Sequence, residues 1–126
     1  MKKVLLILIS YLASCSVTPN VISSGDCIEN KKFKKYYFTQ VEYVKKNISV
    51  SQDKKFLDAL IFIANYAPVS FEEMMNYGRT YGIRTLEKDE VMWLKWYQEN
   101  KCKNLQLKKK HPVPEKYLIF FENKMK

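Results

Sequence analysis

Glycine, proline and histidine are scarce in this sequence. Its 126 residues include three glycines, four prolines and a single histidine, His111. So few turn-forming residues argue against a sandwich of many short strands. His111 has no cysteine or histidine near it in sequence, so the spacing offers no zinc site. We expect no metal and no cofactor, and we interpret His111 as an ordinary exposed loop residue before Pro112.

Motifs that carry catalytic chemistry are also missing. The sequence contains no serine nucleophile elbow, no metalloprotease helix motif and no glycine-rich phosphate loop. Five acids could supply a carboxylate pair for glycoside cleavage: Glu72, Glu73, Glu87, Asp89 and Glu90. They are better interpreted as acids near helix N-termini, where they complement the helix dipole. We assign no catalytic residue, and the sequence favours a non-catalytic protein.

The longest hydrophobic run, Val4 to Ala13, is too short to span a bilayer, which needs about 20 apolar residues. Lys2 and Lys3 precede it, an arrangement typical of a secretory signal. The run ends in Leu12-Ala13-Ser14-Cys15. This tetrapeptide resembles the lipobox of bacterial lipoproteins.

The lipobox resemblance implies that residues 1–14 are a signal peptide cleaved before Cys15. It also implies that the Cys15 thiol takes up a diacylglyceryl group, and two or three acyl chains hold a protein firmly to a membrane. An ordinary secretory signal that happens to contain a cysteine is the alternative. Residues 15–26 are small, polar and marked by proline and glycine, so we expect a flexible tether. Ser16 is not the aspartate that favours inner-membrane retention in some lipoproteins, and this favours the outer membrane.

Two cysteines remain once Cys15 is lipidated. An even pair in an exported protein suggests a disulfide, here between Cys27 and Cys102. Two buried free thiols are the alternative.

Positive charge is abundant and uneven. The formal net charge is +9, and about +7 would remain after loss of Lys2 and Lys3. Lysines crowd residues 31–46 and again residues 101–126, while the stretch between is slightly acidic. A basic surface attracts anionic partners, and we expect an anionic membrane surface or an envelope protein rather than nucleic acid. A merely solvated, solubilising surface is the alternative.

Hydrophobic periodicity predicts helices. Over residues 31–47 the apolar positions recur in steps of three and four: Phe33, Tyr37, Val41, Val44 and Ile48. Ser51 can cap a second, central helix that runs to Ala67. Ser70 begins a capping-box pattern, S-F-E-E, which opens a short helix that Gly78 can end in a left-handed conformation.

Two further helices are predicted in the C-terminal half. Thr85 can cap a helix over residues 86–101, with Trp93 and Tyr97 innermost. Pro114 suits the first position of a last helix, although a strand over residues 117–121 is the alternative. We therefore predict an all-α fold, a single domain over residues 27–126 with four or five helices.

Four residues are candidate binding residues. The loop over residues 77–84 has the aromatic and arginine composition of a recognition loop and supplies Arg79, Tyr81 and Arg84. We expect Trp96 at a surface groove, with core packing as its alternative. The block over residues 56–102 loosely resembles segments of small exported helical proteins of the Bacteroidetes, which implies no activity.

The sequence leads to three functional hypotheses. The first is an envelope lipoprotein that acts as a non-catalytic binding or accessory module. The second is an inhibitor or immunity protein against a toxin or lysozyme. The third is an enzyme acting on cell wall or polysaccharide.

Overall fold

The computed structural model describes residues 25–122, so the predicted signal peptide, Cys15 and the tether up to residue 24 lie outside it. The described chain forms four helices: α1 (Lys31–Asn47), α2 (Lys54–Ala64), α3 (Ile83–Asn100) and α4 (Leu118–Glu122). Two 3-10 turns, Phe71–Met75 and Glu115–Tyr117, complete the regular structure. Residues 25–122 contain no strand, and the all-α prediction is confirmed. None of the helices in this range is long and apolar enough to cross a bilayer.

Helix α1 has the bounds that the sequence predicts. Its first exposed amides are satisfied by Asn30, whose side chain accepts hydrogen bonds of 3.1 Å from the backbone N–H groups of Lys32 and Phe33. Four of the five predicted stripe residues are buried, and Ile48 is half-buried. The stripe faces the core because side chains three and four residues apart share one face of a helix.

Helix α2 begins later than predicted. The cap is Asp53, whose carboxylate accepts a 3.0 Å hydrogen bond from the Phe56 N–H. Ser51 lies two residues before this cap and belongs to the turn that closes α1, where its N–H donates to the Asn47 carbonyl. The helix ends at Ala64, where the Asn65 side chain donates to the carbonyls of Ile61 and Pro112.

Helix α3 begins earlier than predicted. Gly82 precedes its first residue and provides no side-chain cap. Thr85, the predicted cap, lies inside the helix and is buried. The apolar stripe predicted the helix correctly, but the cap was placed three residues too late. Helix α3 begins one turn before Leu86, at Ile83, whose side chain is exposed.

Helix α1 runs in the opposite direction to the other two long helices. Phe33 at the start of α1 meets Tyr66 just after α2, with ring centroids 5.0 Å apart. Lys45 at the other end of α1 forms a 2.7 Å ion pair with Glu90 near the start of α3. Helix α1 is therefore antiparallel to both α2 and α3. We call the end with the start of α1 the disulfide end, and the end with the start of α3 the apical end.

An aromatic cluster fills the centre of this arrangement. Tyr37 stacks on Tyr97 at 5.7 Å, and its hydroxyl donates a 3.3 Å hydrogen bond to the Trp93 carbonyl. The Trp93 indole N–H donates to the Pro68 carbonyl at 2.6 Å. Trp93 and Tyr97 are the innermost aromatic residues of α3, as predicted. Large aromatic side chains bury much apolar area, and their polar atoms need partners when buried, which these contacts supply.

The predicted capping box at Ser70 does not form. Phe71–Met75 is a 3-10 turn, and Ser70 makes no side-chain bond to it. Instead, the Ser70 N–H and hydroxyl both donate to the Asp89 carboxylate of α3, at 2.7 Å each. Tertiary contact has replaced the local cap because a fully buried acid such as Asp89 requires several donors.

The segment after α3 crosses the bundle and then packs on the 3-10 turn. The Asn30 side chain donates to the Leu105 carbonyl at 2.8 Å, which holds the segment against the start of α1. Residues 105–107 form no regular element. Beyond Pro114 the chain is helical rather than extended, so the alternative of a strand is wrong. Its rings pack on Phe71, with Tyr117 at 4.7 Å and Phe121 at 5.0 Å.

Candidate functional site

The apical loop, residues 75–84, exposes an unusual amount of apolar surface. Tyr77 is fully exposed, and Met75 and Ile83 are each 55% exposed. Arg79 and Arg84 are exposed beside them, and neither forms a salt bridge with any described residue. Tyrosine, methionine and arginine are enriched where proteins meet partners. The loop therefore has the composition of a protein-binding surface.

The apical loop is also ordered by its own hydrogen bonds. The Asn76 side chain donates to the Thr80 carbonyl at 3.0 Å and accepts from the Thr80 N–H at 3.4 Å. The predicted left-handed cap at Gly78 is wrong. Arg79 instead takes the left-handed conformation, with φ 48°, and its N–H donates to the Asn76 carbonyl. Because the turn is closed, the exposed side chains are presented from a fixed backbone.

Tyr81 is not available to a partner. Its side chain is 1% exposed, and its hydroxyl donates to the Asp89 carboxylate. Burial, followed by the hydrogen bond to Asp89, raises the pKa of Tyr81, so the hydroxyl stays protonated and acts as a donor. The Tyr81 N–H and carbonyl both bind the Gln52 side chain, at 2.7 and 2.9 Å. Tyr81 thus anchors the apical loop to the turn between α1 and α2.

Trp96 lies far from the other predicted binding residues. It is half-buried near the disulfide end, where its ring contacts Tyr37 at 5.5 Å and Tyr66 at 5.8 Å. It does not line the groove along the outer face of α1, the depression beside His111 or the one beside Leu107. Core packing, the alternative interpretation, accounts for these contacts. The structure therefore brings together Arg79 and Arg84 but not Tyr81 or Trp96.

Sequence reasoning missed three exposed residues of the apical loop: Met75, Tyr77 and Ile83. Met75 ends the 3-10 turn and Ile83 begins α3, so the exposure of both side chains depends on how these elements are oriented in the fold. The sequence carried no signal for Ile83, because it stands three residues before Leu86 and shares a helical face with it.

The opposite end of the bundle carries the disulfide. Cys27 and Cys102 are joined, with their Cα atoms 4.8 Å apart, which confirms the predicted pair. The bond joins the segment just before α1 to the segment just after α3. The Tyr97 hydroxyl reinforces this junction by donating a 2.8 Å hydrogen bond to Glu29.

Lysines surround this junction. They are Lys31, Lys32, Lys34 and Lys35 in the first turns of α1, and Lys101 and Lys103 on either side of Cys102. Lys34 pairs with Glu29 at 3.1 Å, but Lys31, Lys32 and Lys35 have no ion pair within residues 25–122. Hydrogen bonds from Tyr97 and then Lys34 hold the pKa of Glu29 below its usual value. Glu29 is therefore ionised and committed to these two partners.

The surface depressions offer little for chemistry. One of them, about 650 Å³, is an open groove along the outer face of α1 beside Phe38 and Tyr43. It contains one acid, Glu42, and a second depression beside His111 contains one acid, Asp58. None of the three depressions described combines two carboxylates, and no metal-binding group of three ligands occurs among residues 25–122. The five acids considered for glycoside cleavage lie outside these depressions.

His111 is less exposed than predicted. Its ring packs edge-on against Phe62 at 4.7 Å and is half-buried. The Nε2 atom is buried without a hydrogen-bond partner in the described chain. Desolvation, followed by the nearby positive charge of Lys108, lowers the pKa of His111 below its ordinary 6.5. The residue is therefore a neutral packing group at neutral pH.

Comparison with known proteins found no match: no family model, no curated protein and no solved structure is significantly similar to this chain.

Proposed function

We propose that this protein is a lipid-anchored lipoprotein of the cell envelope and that it acts as a non-catalytic binding module through its apical loop. The lipobox resemblance at Leu12-Ala13-Ser14-Cys15 supports the anchor. The disulfide between Cys27 and Cys102 is compatible with export, because disulfides persist mainly in oxidising compartments. Ser16, at the position after the cysteine, favours the outer membrane over the inner membrane.

The observation that carries the binding role is the exposure of Met75, Tyr77 and Ile83 on one loop that also exposes Arg79 and Arg84. Tyrosine, methionine and arginine are enriched where proteins bind partners. The arginines favour a protein partner whose contact surface carries carboxylates, since guanidinium and carboxylate form paired hydrogen bonds.

The anchor is tested by changing the acylated atom. Cys15→Ala should leave a larger precursor that takes up no labelled palmitate, because the thioether cannot form. The wild-type product should incorporate label and float with outer-membrane fractions on a density gradient. Equal mobility and equal membrane retention of the two proteins would refute the anchor, and label in the inner-membrane fraction alone would refute the membrane assignment.

The binding role is tested by photo-crosslinking in intact cells. A photoreactive amino acid at position 77 should give a discrete crosslinked species, which Arg79→Ala and Arg84→Ala weaken. The same amino acid at Val91, which is exposed on the side of α3, provides the matched control. Equal crosslinking from positions 77 and 91, or none from position 77, would contradict the proposal.

The apical loop is also compatible with an inhibitor or immunity protein. An ordered loop with a fully exposed tyrosine at its tip has a shape that can enter the cleft of an enzyme. The crosslinked partner separates the two roles. A toxin or lysozyme bound at its active cleft supports inhibition, whereas an envelope component bound elsewhere supports an accessory role.

A further inference from the structure

We propose that the disulfide end is a second binding surface, which binds the headgroups of anionic lipids and so sets the orientation of the domain on the membrane. The headgroup binding itself does not depend on acylation of Cys15. The orientation of the domain does depend on acylation of Cys15, since it rests on the anchor of the proposed function.

The first support is the local charge. The disulfide end carries six lysines: Lys31, Lys32, Lys34, Lys35, Lys101 and Lys103. The acids near the same junction are Asp26, Glu29 and Glu99, and Glu99 is paired with Lys95 at 3.8 Å. Once Lys95 is counted, an excess of four positive charges remains. Because Glu29 is already bound by Lys34 and Tyr97, it neutralises no further lysine. Each lysine held near an anionic bilayer strengthens binding by roughly fivefold.

The second support is that helix stability does not explain these lysines. The first turn of α1 contains no acid, although acids are the favourable residues at the positive end of the helix dipole. Lys31, Lys32 and Lys35 also lack ion pairs within the described chain. Lysines placed at this end therefore cost the helix some stability, and an external anion offsets that cost.

The third support is the position of the chain entry. Cys27 is fixed to Cys102, so the segment from the proposed anchor reaches the domain at the disulfide end. Cys15 stands twelve residues before Cys27 in sequence, and a coil of that length has a root-mean-square span of about 20 Å. The lysines are thereby held close to the headgroups. The apical loop lies at the far end of α1, whose 17 residues extend about 25 Å.

The surface chemistry fits a bilayer better than a small anionic ligand. The lysines lie on exposed surface, and lysine is a flexible point charge rather than a rigid fork for one phosphate. Ile28, next to the disulfide, is 78% exposed and adds an apolar side chain that can enter the interface between headgroups and acyl chains. Basic and apolar side chains together are typical of surfaces that lie on anionic membranes.

Headgroup binding is measured with the chain over residues 16–126, which has no acyl groups. This chain retains every core residue of the described fold, since these run from Phe33 to Tyr117, and both disulfide cysteines. It should float with vesicles of phosphatidylcholine and phosphatidylglycerol in a ratio of 7:3 (roughly physiological negative charge). It should not float with phosphatidylcholine alone, and binding should fall as salt rises.

Matched variants locate the surface. Lys31→Gln, Lys32→Gln and Lys35→Gln combined should weaken vesicle binding by at least about tenfold, because three headgroup contacts are lost. The control combines Lys46→Gln, Lys54→Gln and Lys88→Gln, which removes the same charge near the apical end. Circular dichroism and the intact disulfide check the fold of both variants.

Three results would overturn the proposal. They are an absence of flotation with the anionic vesicles, equal binding to neutral vesicles, and equal weakening by the two triple variants. None of these three results depends on lipidation. The mass of the mature protein tests separately whether Cys15 is acylated. Unmodified Cys15 together with selective vesicle binding would remove the anchor and keep the headgroup surface.

Discussion

Cys27 and Cys102 are separated by 75 residues in sequence, and their disulfide joins the chain just before α1 to the chain just after α3. The bond encloses α1, α2 and α3 in a single covalent loop. It is exposed, so its stabilising effect comes mainly from restricting the unfolded chain rather than from packing.

Removal of this disulfide should lower the free energy of unfolding. Cys27→Ser combined with Cys102→Ser should cost about 2–4 kcal/mol in urea denaturation, as expected for a long closed loop. Each single variant should cost a similar amount, since either one opens the loop. A double variant as stable as the wild type would contradict the model in which the bond restricts the unfolded state.

Asp89 should be the most sensitive acid of the domain. It is fully buried and accepts hydrogen bonds from the Ser70 N–H, the Ser70 hydroxyl and the Tyr81 hydroxyl. Asp89→Ala should destabilise the fold by about 3 kcal/mol or more, because one buried donor and two partly buried donors lose their acceptor. Asp58→Ala is the control, since Asp58 is exposed and pairs only with Lys54, and it should cost less than about 0.5 kcal/mol. Comparable losses in the two variants would show that the hydrogen bonds to Asp89 contribute little.

The two tyrosines of the apical loop should respond in opposite ways. Tyr77→Ala should leave the unfolding free energy within about 0.5 kcal/mol of wild type, because its ring is fully exposed. Tyr81→Phe, a smaller change, should cost about 1.5–3 kcal/mol, because Asp89 loses a donor to a buried charged group. Thermal or urea unfolding measures both. A larger loss from Tyr77→Ala than from Tyr81→Phe would contradict the described loop.

His111 should make stability depend on pH. The folded state lowers its pKa below 6.5, so the unfolded state binds a proton more readily. The stabilising contribution is therefore complete above pH 6.5 and is lost as pH falls through and below that value. His111→Gln should flatten the slope of unfolding free energy between about pH 7 and pH 5.

The titration of His111 can be observed directly. It is the only histidine of the chain, so its ring protons give an unambiguous NMR signal. The midpoint should lie below 6.5 in the folded protein and move towards 6.5 in urea. A folded midpoint at or above 6.5 would show that the ring is solvated rather than packed on Phe62.

Helix existence was readable from the sequence, but the starts of α2 and α3 were not. The stripe from Phe33 to Val44 fixed α1, because a periodic apolar face must turn to the core wherever the chain is helical. Ser51 and Thr85 fit the chemistry of a cap but do not cap α2 and α3, and Ser70 precedes the 3-10 turn without a side-chain bond to it. A side chain caps a helix only where backbone N–H groups of the first turn lack another partner. The neighbouring turns and helices determine which N–H groups these are.

The candidate site was likewise predicted in part from the sequence and decided in part by tertiary contacts. Composition pointed to the loop over residues 77–84, where Arg79 and Arg84 are indeed exposed, but it could not separate Tyr77 from Tyr81. These residues are four positions apart and chemically identical. Tyr81 is held inside by contacts from other parts of the chain: its hydroxyl donates to the buried Asp89 carboxylate of α3, and its backbone binds the Gln52 side chain.

The sequence by itself determined the helical class and the inner faces of α1 and α3, because these follow from local periodicity. It favoured the pairing of Cys27 with Cys102 over two free thiols only on the premise that Cys15 is acylated. The tertiary structure alone decided the partners of Asp89, the burial of Tyr81 and His111, and the gathering of lysines at one end of the bundle. These features depend on contacts between residues far apart in the chain, and no local pattern records such contacts.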